Sequence, residues 1–138
     1  MKQLDDISFS DSDEEKPEDI KSLKRLPKTV LTEEALRAYL GPETERINLE
    51  HHYWIKDNFI DKIGRMAPNI RELSLRRMNL TNRAFTCIAA ELKDLRKIDI
   101  SYCPNIHVSG FKILIDNNKY LSHIQVSNSS DAVNNEIV

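Results

Sequence analysis

A short apolar–polar–apolar pattern recurs four times along the chain. Its steps are 26, 25 and 26 residues, and each copy has the alternation of a half-buried β-strand. The copies are Ile47-Asn48-Leu49, Leu73-Ser74-Leu75, Ile98-Asp99-Ile100 and Ile124-Gln125-Val126. Side chains two residues apart lie on the same face of a strand, so we expect one apolar and one polar face.

A helical pattern follows each of the first three predicted strands. It opens with an aromatic residue (Phe59, Phe85 or Phe111), and the apolar residues behind it recur at helical spacing. A single strand–helix unit cannot bury both of its apolar faces. We therefore expect the units to stack as a parallel sheet covered by a layer of helices.

A further helix is predicted ahead of the first strand. Thr32 is a suitable N-cap residue, and Glu33 and Glu34 place acids in the first helical turn. Gly41-Pro42 predicts the end of this helix. Its expected role is to cap the first unit.

The third unit carries a recognisable motif. Leu-Arg-Lys-Ile-Asp-Ile-Ser-Tyr-Cys, residues 95–103, followed by Pro-Asn-Ile and Gly110-Phe111, resembles the cysteine-containing leucine-rich repeat of ribonuclease-inhibitor-like and F-box proteins. The resemblance covers residues 44–127, although the first two units lack the cysteine turn. It implies an α/β fold, a short solenoid of about three to four repeats with parallel strands on the concave face and helices on the convex face. It also implies that Cys103 is a buried turn residue whose thiol lies near backbone amides.

The N-terminal region differs in charge from the rest of the chain. Residues 1–20 contain eight acids and two bases, and residues 21–28 contain four bases and no acid. This composition predicts a largely disordered tail over residues 1–28, followed by a repeat domain at 29–138. The net charge of −2 does not favour nucleic-acid binding, and the apolar stretches are too short for membrane insertion.

The compartment is predicted from the cysteines and the first residues. Two cysteines, Cys87 and Cys103, make no disulfide framework, and the opening Met-Lys-Gln-Leu-Asp-Asp has no apolar run. We expect an intracellular, cytoplasmic protein, with cilium, nucleus and mitochondrion left open.

The polar strand positions are the predicted partner-binding residues, because they point away from the core. Two interpretations remain open: a concave patch for a protein partner, or a self-neutralising ladder of charges that only solvates the sheet. The predicted residues are Arg46, Asn48, Glu50, Glu72, Ser74, Arg76, Lys97, Asp99, Ser101, His123 and Gln125, with Ser127 continuing the series.

Two further features bear on binding. The last predicted strand has no complete unit beyond it, so either residues 132–138 or a partner must cover that end, and we hypothesise a partner. Trp54, beside Tyr53, is either an exposed anchor for a partner or a packing residue beneath the turn.

Residues for chemistry are scattered. The histidines and cysteines fit no zinc-ligand spacing, and the three glycines form no phosphate-binding loop. We therefore predict no enzyme activity, metal, cofactor or small-molecule substrate. Ser8, Ser10 and Ser12 lie among acids and are candidate sites for an acidophilic kinase, whose phosphates would deepen the negative charge of the tail.

These observations predict a non-catalytic protein–protein interaction module, a structural or adaptor subunit of a larger complex such as an axonemal or mitochondrial assembly. The alternative is the substrate-recognition component of a ubiquitin ligase, because residues 26–40 resemble the beginning of an F-box.

Overall fold

One parallel sheet organises the described part of the chain. The computed structural model describes residues 6–11 and 19–127, and five strands lie within these ranges. They are β1 (Ser8–Ser10), β2 (Arg46–Asn48), β3 (Glu72–Ser74), β4 (Lys97–Asp99) and β5 (His123–Gln125). The order across the sheet is β1-β5-β4-β3-β2. Strands β2 to β5 therefore follow chain order, whereas β1 lies at the far edge, beside β5.

The helices alternate with the strands. They are α1 (Glu33–Leu36), α2 (Asp57–Met66), α3 (Arg83–Glu91) and α4 (Ser109–Asn117), with a 3₁₀ helix at Ile20–Ser22. Helix α2 packs on α3 and α3 packs on α4, so the three longer helices form a layer. The predicted α/β class with a parallel sheet is confirmed.

The strand register explains the spacing of 25 or 26 residues. Ile47 pairs with Leu73, Leu73 with Ile98, and Ile98 with Ile124. All four side chains are buried and share one core with the apolar residues of the helices. Burying an aliphatic side chain of this size contributes about 1.5–3 kcal/mol, so the stacked apolar positions hold the units together.

The first helix begins where the sequence predicted and ends earlier. The Oγ1 of Thr32 accepts a hydrogen bond of 3.1 Å from the backbone N–H of Ala35, which confirms the N-cap. The helix stops at Leu36 and not at Gly41-Pro42. The next amides, of Ala38 and Tyr39, each bond a carbonyl three residues back, so the chain tightens into 3₁₀-type turns.

A residue of left-handed conformation follows the strand in each of the three strand–helix units. His51, Arg77 and Tyr102 have φ angles of 70°, 57° and 59°. Such angles are uncommon outside glycine. The N–H groups of Arg77 and Tyr102 donate to the carbonyls of Ser101 and Ser127, at 3.0 and 2.9 Å, so the neighbouring turn holds each of these two residues in place.

The expectation of a largely disordered tail over residues 1–28 is wrong for the residues that the structure describes there. Ser8 donates its N–H to Ser122 O and Ser10 O accepts from Val126 N, each at 2.8 Å, so β1 pairs with β5. Ile7 and Ile20 are buried. Apolar side chains interspersed among the acids supply the burial that an entirely charged tail would lack.

The predicted open end of the sheet is wrong for the same reason, because β1 covers the edge of β5. Ser12, and residues 132–138 that were weighed as a cover, lie outside the described residues. In the two described ranges, no helix has the length and apolar character needed to cross a membrane.

Candidate protein-binding site

The predicted partner-binding residues form three rows across the sheet. The first row, at the start of each strand, is accessible: Arg46 is exposed, and Glu72, Lys97 and His123 are half-buried. The Nε of Arg46 lies 2.9 Å from a carboxylate oxygen of Glu72, so neighbouring charges pair along this row. Burial lowers the pKa of His123 below its usual value. This row fits the charge-ladder interpretation.

The middle row is buried, which corrects its assignment as an open binding surface. Its members are Asn48, Ser74, Asp99 and Gln125. The 3₁₀ helix contacts β3 and β4, and Leu23 O accepts a hydrogen bond of 2.8 Å from the Asn48 side-chain amide. Residues 19–26, which we call the crossing segment, therefore lie over the polar face of the sheet.

The crossing segment ends beside β2. Arg25 forms a parallel bridge with Asn48, and Leu26 N donates to Asn48 O at 3.2 Å. The N-terminal region thus covers the edge of β5 through β1 and the edge of β2 through Arg25. The sequence signal for this arrangement is faint: Ile7, Phe9 and Ile20 are isolated apolar residues in an acid-rich stretch.

The third row builds a cluster of charges at the ends of the strands. Glu50 is 5% exposed, and its carboxylate oxygens lie 3.2 Å from Arg25, 3.9 Å from Arg76 and 3.8 Å from Arg77. Arg76 also pairs with the buried Asp99 at 3.3 Å. Burial raises the pKa of Asp99, and the hydrogen bond from Ser101 N and the charge of Arg76 offset this only in part.

Ser101 and Ser127 close the third row at the other end. Ser101 is fully buried, and its Oγ accepts a hydrogen bond of 2.8 Å from Ser127 N. The Ser127 hydroxyl donates in turn to Asp11 O at 2.9 Å. These two serines therefore hold the N-terminal region and leave no open surface of their own.

A polar cavity of about 320 Å³ opens between the crossing segment and the strand ends. Its charged lining residues are Lys21, Arg25, Arg76, Arg77 and Glu50. The guanidinium of Arg77 lies 4.1 Å from the ring centroid of Tyr102, a cation–π distance that holds it at the wall. We call this space the basic cavity.

An apolar groove of about 510 Å³ adjoins the basic cavity and shares Arg25 and Glu50 with it. Leu31 and Tyr53, which are 64% and 52% exposed, line the groove together with Leu26 and Trp54. Exposed apolar side chains of this size that share one groove are typical of a surface that a partner covers. We call this space the aromatic groove.

The side chains of the groove are held in position. Trp54 is half-buried, donates its Nε1–H to Val30 O at 3.0 Å and meets the ring of Phe59 edge-on, with centroids 5.0 Å apart. It therefore packs in the core and lines the groove, so both interpretations of this residue have a structural counterpart.

Two histidines support the groove. His52 is buried, and its ring nitrogens lie at hydrogen-bond distance from backbone oxygens, among them Pro27 O at 3.1 Å. His51 Nδ1 lies 2.9 Å from the hydroxyl of Tyr53. Burial lowers the pKa of His51, and the charges of Arg25 and Arg77 lower it further while that of Glu50 opposes them.

Cys103 occupies the position that the resemblance implied. Its Sγ is fully buried and donates to Leu75 O at 3.0 Å, and backbone groups of Arg77 and Met78 also contact it. Burial raises the pKa of this thiol to about 12. Over residues 6–11 and 19–127, no cluster of three histidine, cysteine or acidic side chains is placed to hold a metal ion.

The remaining predicted residues are two serines and the F-box-like segment. Ser8 is exposed in β1 and Ser10 is half-buried there. Within residues 26–40, Val30 and Leu36 belong to the core, which leaves Leu31 and Tyr39 as the exposed large apolar side chains of that segment.

No protein-family model and no curated protein matches this sequence.

Proposed function

We propose that this chain is a non-catalytic protein-interaction module of the leucine-rich-repeat type, serving as an adaptor or structural subunit of a larger intracellular assembly. Three features support the repeat assignment: the strand spacing of 25 or 26 residues, the in-register parallel pairing, and the left-handed residue after β2, β3 and β4. The cytoplasm, including the cilium, is the proposed compartment, with nucleus and mitochondrion as alternatives.

The observation that carries the binding proposal is the aromatic groove. Tyrosine, tryptophan and arginine dominate the energetics of protein interfaces, and Tyr53, Trp54 and Arg25 line this one groove. Leu31 adds an exposed aliphatic side chain at its mouth. Because Trp54 is fixed by the Val30 carbonyl and by Phe59, a partner side chain would enter a preformed site at a low entropic cost.

The other candidate surfaces support the same choice. The middle row of the sheet lies beneath the crossing segment, and β1 covers the edge of β5. A partner at either place would first have to displace the chain's own N-terminal residues. The aromatic groove requires no such displacement.

The experiment compares three variants of the full chain after cross-linking and native purification from cells of the source organism. The partner is identified by mass spectrometry and its affinity is then measured with both purified proteins. Leu31→Ser and Tyr53→Ser are expected to weaken binding about 30-fold each, the effect of removing an interface hot spot of about 2 kcal/mol.

The matched control is Tyr120→Ser, because Tyr120 is 47% exposed and lies outside the groove lining. This variant is expected to keep the affinity of the unmodified chain. Equal affinities for Tyr53→Ser and Tyr120→Ser would reject the groove as the binding site. Recovery of the chain as a lone monomer under all cross-linking conditions would reject the subunit proposal itself.

A further inference from the structure

We infer that the basic cavity receives a carboxylate of an acidic peptide segment of the partner, whose neighbouring apolar side chain fills the aromatic groove. This inference rests on the proposed function and specifies the chemistry of the partner. It is carried by the charge balance of the cavity, by an unpaired buried donor, and by the continuity of the two spaces.

The charge balance of the cavity favours an anion. Four of the lining residues are basic, namely Lys21, Arg25, Arg76 and Arg77, and Glu50 is the acid among them. Asp99 adds a second carboxylate behind Arg76. Bases therefore exceed acids by two around the cavity, although the whole chain has a net charge of −2. A local excess of this kind attracts an acidic segment and repels a basic one.

Arg77 supplies a donor that lacks an acceptor. Its Nη1 is buried and has no hydrogen-bond partner among residues 6–11 and 19–127. The Nε of the same guanidinium lies 3.8 Å from Glu50, too far for a short hydrogen bond. Leaving a buried donor unpaired is unfavourable, and a carboxylate is the acceptor whose shape matches a guanidinium. A bound carboxylate would remove this cost.

The adjoining groove favours a peptide over a nucleic acid. The two spaces share Arg25 and Glu50, so one extended segment reaches both. Leu26 and Leu31 give the groove an aliphatic lining suited to an apolar side chain. Nucleic-acid binding instead uses many lysines and arginines along a phosphate backbone, which the near-neutral body of this chain does not offer.

The direct test uses a fluorescein-labelled peptide of two leucines followed by four glutamates, and a matched peptide with glutamines in place of the glutamates. Binding to the full chain is measured by fluorescence anisotropy. The glutamate peptide is expected to bind at least tenfold more tightly than the glutamine peptide. Raising the salt concentration from 50 to 300 mM is expected to reduce this preference.

The variants Arg77→Gln and Arg25→Gln are expected to weaken the glutamate peptide about tenfold each, as expected for the loss of one charge-assisted contact. Arg25→Gln provides a second variant in case Arg77→Gln perturbs the turn, since the Arg25 side chain is 53% exposed. Arg46→Gln is the control, because it also loses an arginine–carboxylate pair but lies outside the cavity lining.

Four outcomes would overturn the inference. They are equal affinity for the two peptides, equal effects of Arg77→Gln and Arg46→Gln, binding of a ten-nucleotide uridine RNA in place of the peptide, and a natural partner that needs Tyr53 but neither Arg25 nor Arg77. The last would leave the proposed function standing. Conversely, arginine-dependent peptide binding without any recovered partner would uphold the cavity and reject the subunit proposal.

Discussion

The ring of Phe9 stacks on the ring of Phe111, with centroids 6.1 Å apart and planes inclined by 27°. Phe111 in turn meets Phe85 at 6.0 Å. The contact joins the N-terminal strand to the last helix and covers the apolar end of the core beyond α4. Residues that the sequence alone assigns to a charged tail therefore close the fold.

Replacing Phe9 with alanine tests this closure. Phe9→Ala is expected to lower the free energy of unfolding by about 2 kcal/mol, less than for a fully buried phenylalanine because Phe9 is half-buried. Urea denaturation followed by circular dichroism measures the change. Ser8→Ala, at the exposed neighbouring position, should stay within about 0.5 kcal/mol of the unmodified chain. Equal stabilities for the two variants would show that β1 does not contribute to the core.

Gly64 tests the packing of α2 against α3. A Cβ at this position would overlap the Cβ of Glu91 on the facing helix. Gly64→Ala is therefore expected to lower the free energy of unfolding by about 1–2 kcal/mol, because the overlap outweighs the better helix propensity of alanine. The measurement is a urea unfolding curve.

Gly41→Ala is the matched control, since a Cβ there would meet only the mobile carboxylate end of Glu43. Its stability is expected to match that of the unmodified chain or to exceed it slightly. A Gly64→Ala variant as stable as Gly41→Ala would contradict the close helix approach.

Asp99 tests the cost of a buried charge. Its pKa is raised above the ordinary value of 3.8, so its contribution to stability is fully present below pH 3.8 and is lost as the pH rises through the folded-state pKa. Asp99→Asn should therefore be as stable as the unmodified chain at pH 7, or up to about 2 kcal/mol more stable. This advantage should vanish as the pH falls toward 3.8, which unfolding curves at several pH values will show.

Asp99→Leu separates the charge from the hydrogen bond. The Oδ1 of Asp99 accepts from Ser101 N at 2.9 Å, and asparagine keeps this acceptor while leucine does not. The leucine variant is expected to lose about 1–3 kcal/mol at pH 7, the cost of an unpaired buried amide. An Asn variant as destabilised as the Leu variant would show that the carboxylate charge itself stabilises the fold.

The two thiols should differ in reactivity. Burial raises the pKa of Cys103 to about 12 and shields its sulfur, whereas Cys87 is half-buried. Single-thiol variants, Cys87→Ser and Cys103→Ser, allow each rate to be measured with an aromatic disulfide reagent at pH 8. Cys87 should react in the native protein and Cys103 only after denaturation. Similar rates under native conditions would place Cys103 in a more open turn.

The strand–helix units could be predicted because their signals are local. Ile47, Leu73, Ile98 and Ile124 mark the strands at a constant spacing, and each observed strand includes its marker. The N-cap at Thr32 depends on neighbours three residues away. In contrast, the partner-binding assignment of Asn48 and Asp99 came from alternation alone, which says that a side chain points away from one core but not what covers the other face.

By itself, the sequence determined the α/β class, the parallel register and the apolar core, because hydrophobic periodicity and repeat spacing act over neighbouring residues and adjacent units. Only the tertiary structure decided where the N-terminal residues lie. The pairing of Ser8 with His123 joins positions at opposite ends of the chain, and short apolar signals such as Phe9 and Ile20 become stabilising only once the finished sheet presents an edge and a face to bury them. That long-range burial closed the predicted concave site and left the aromatic groove and the basic cavity as the open surfaces on which the proposed function rests.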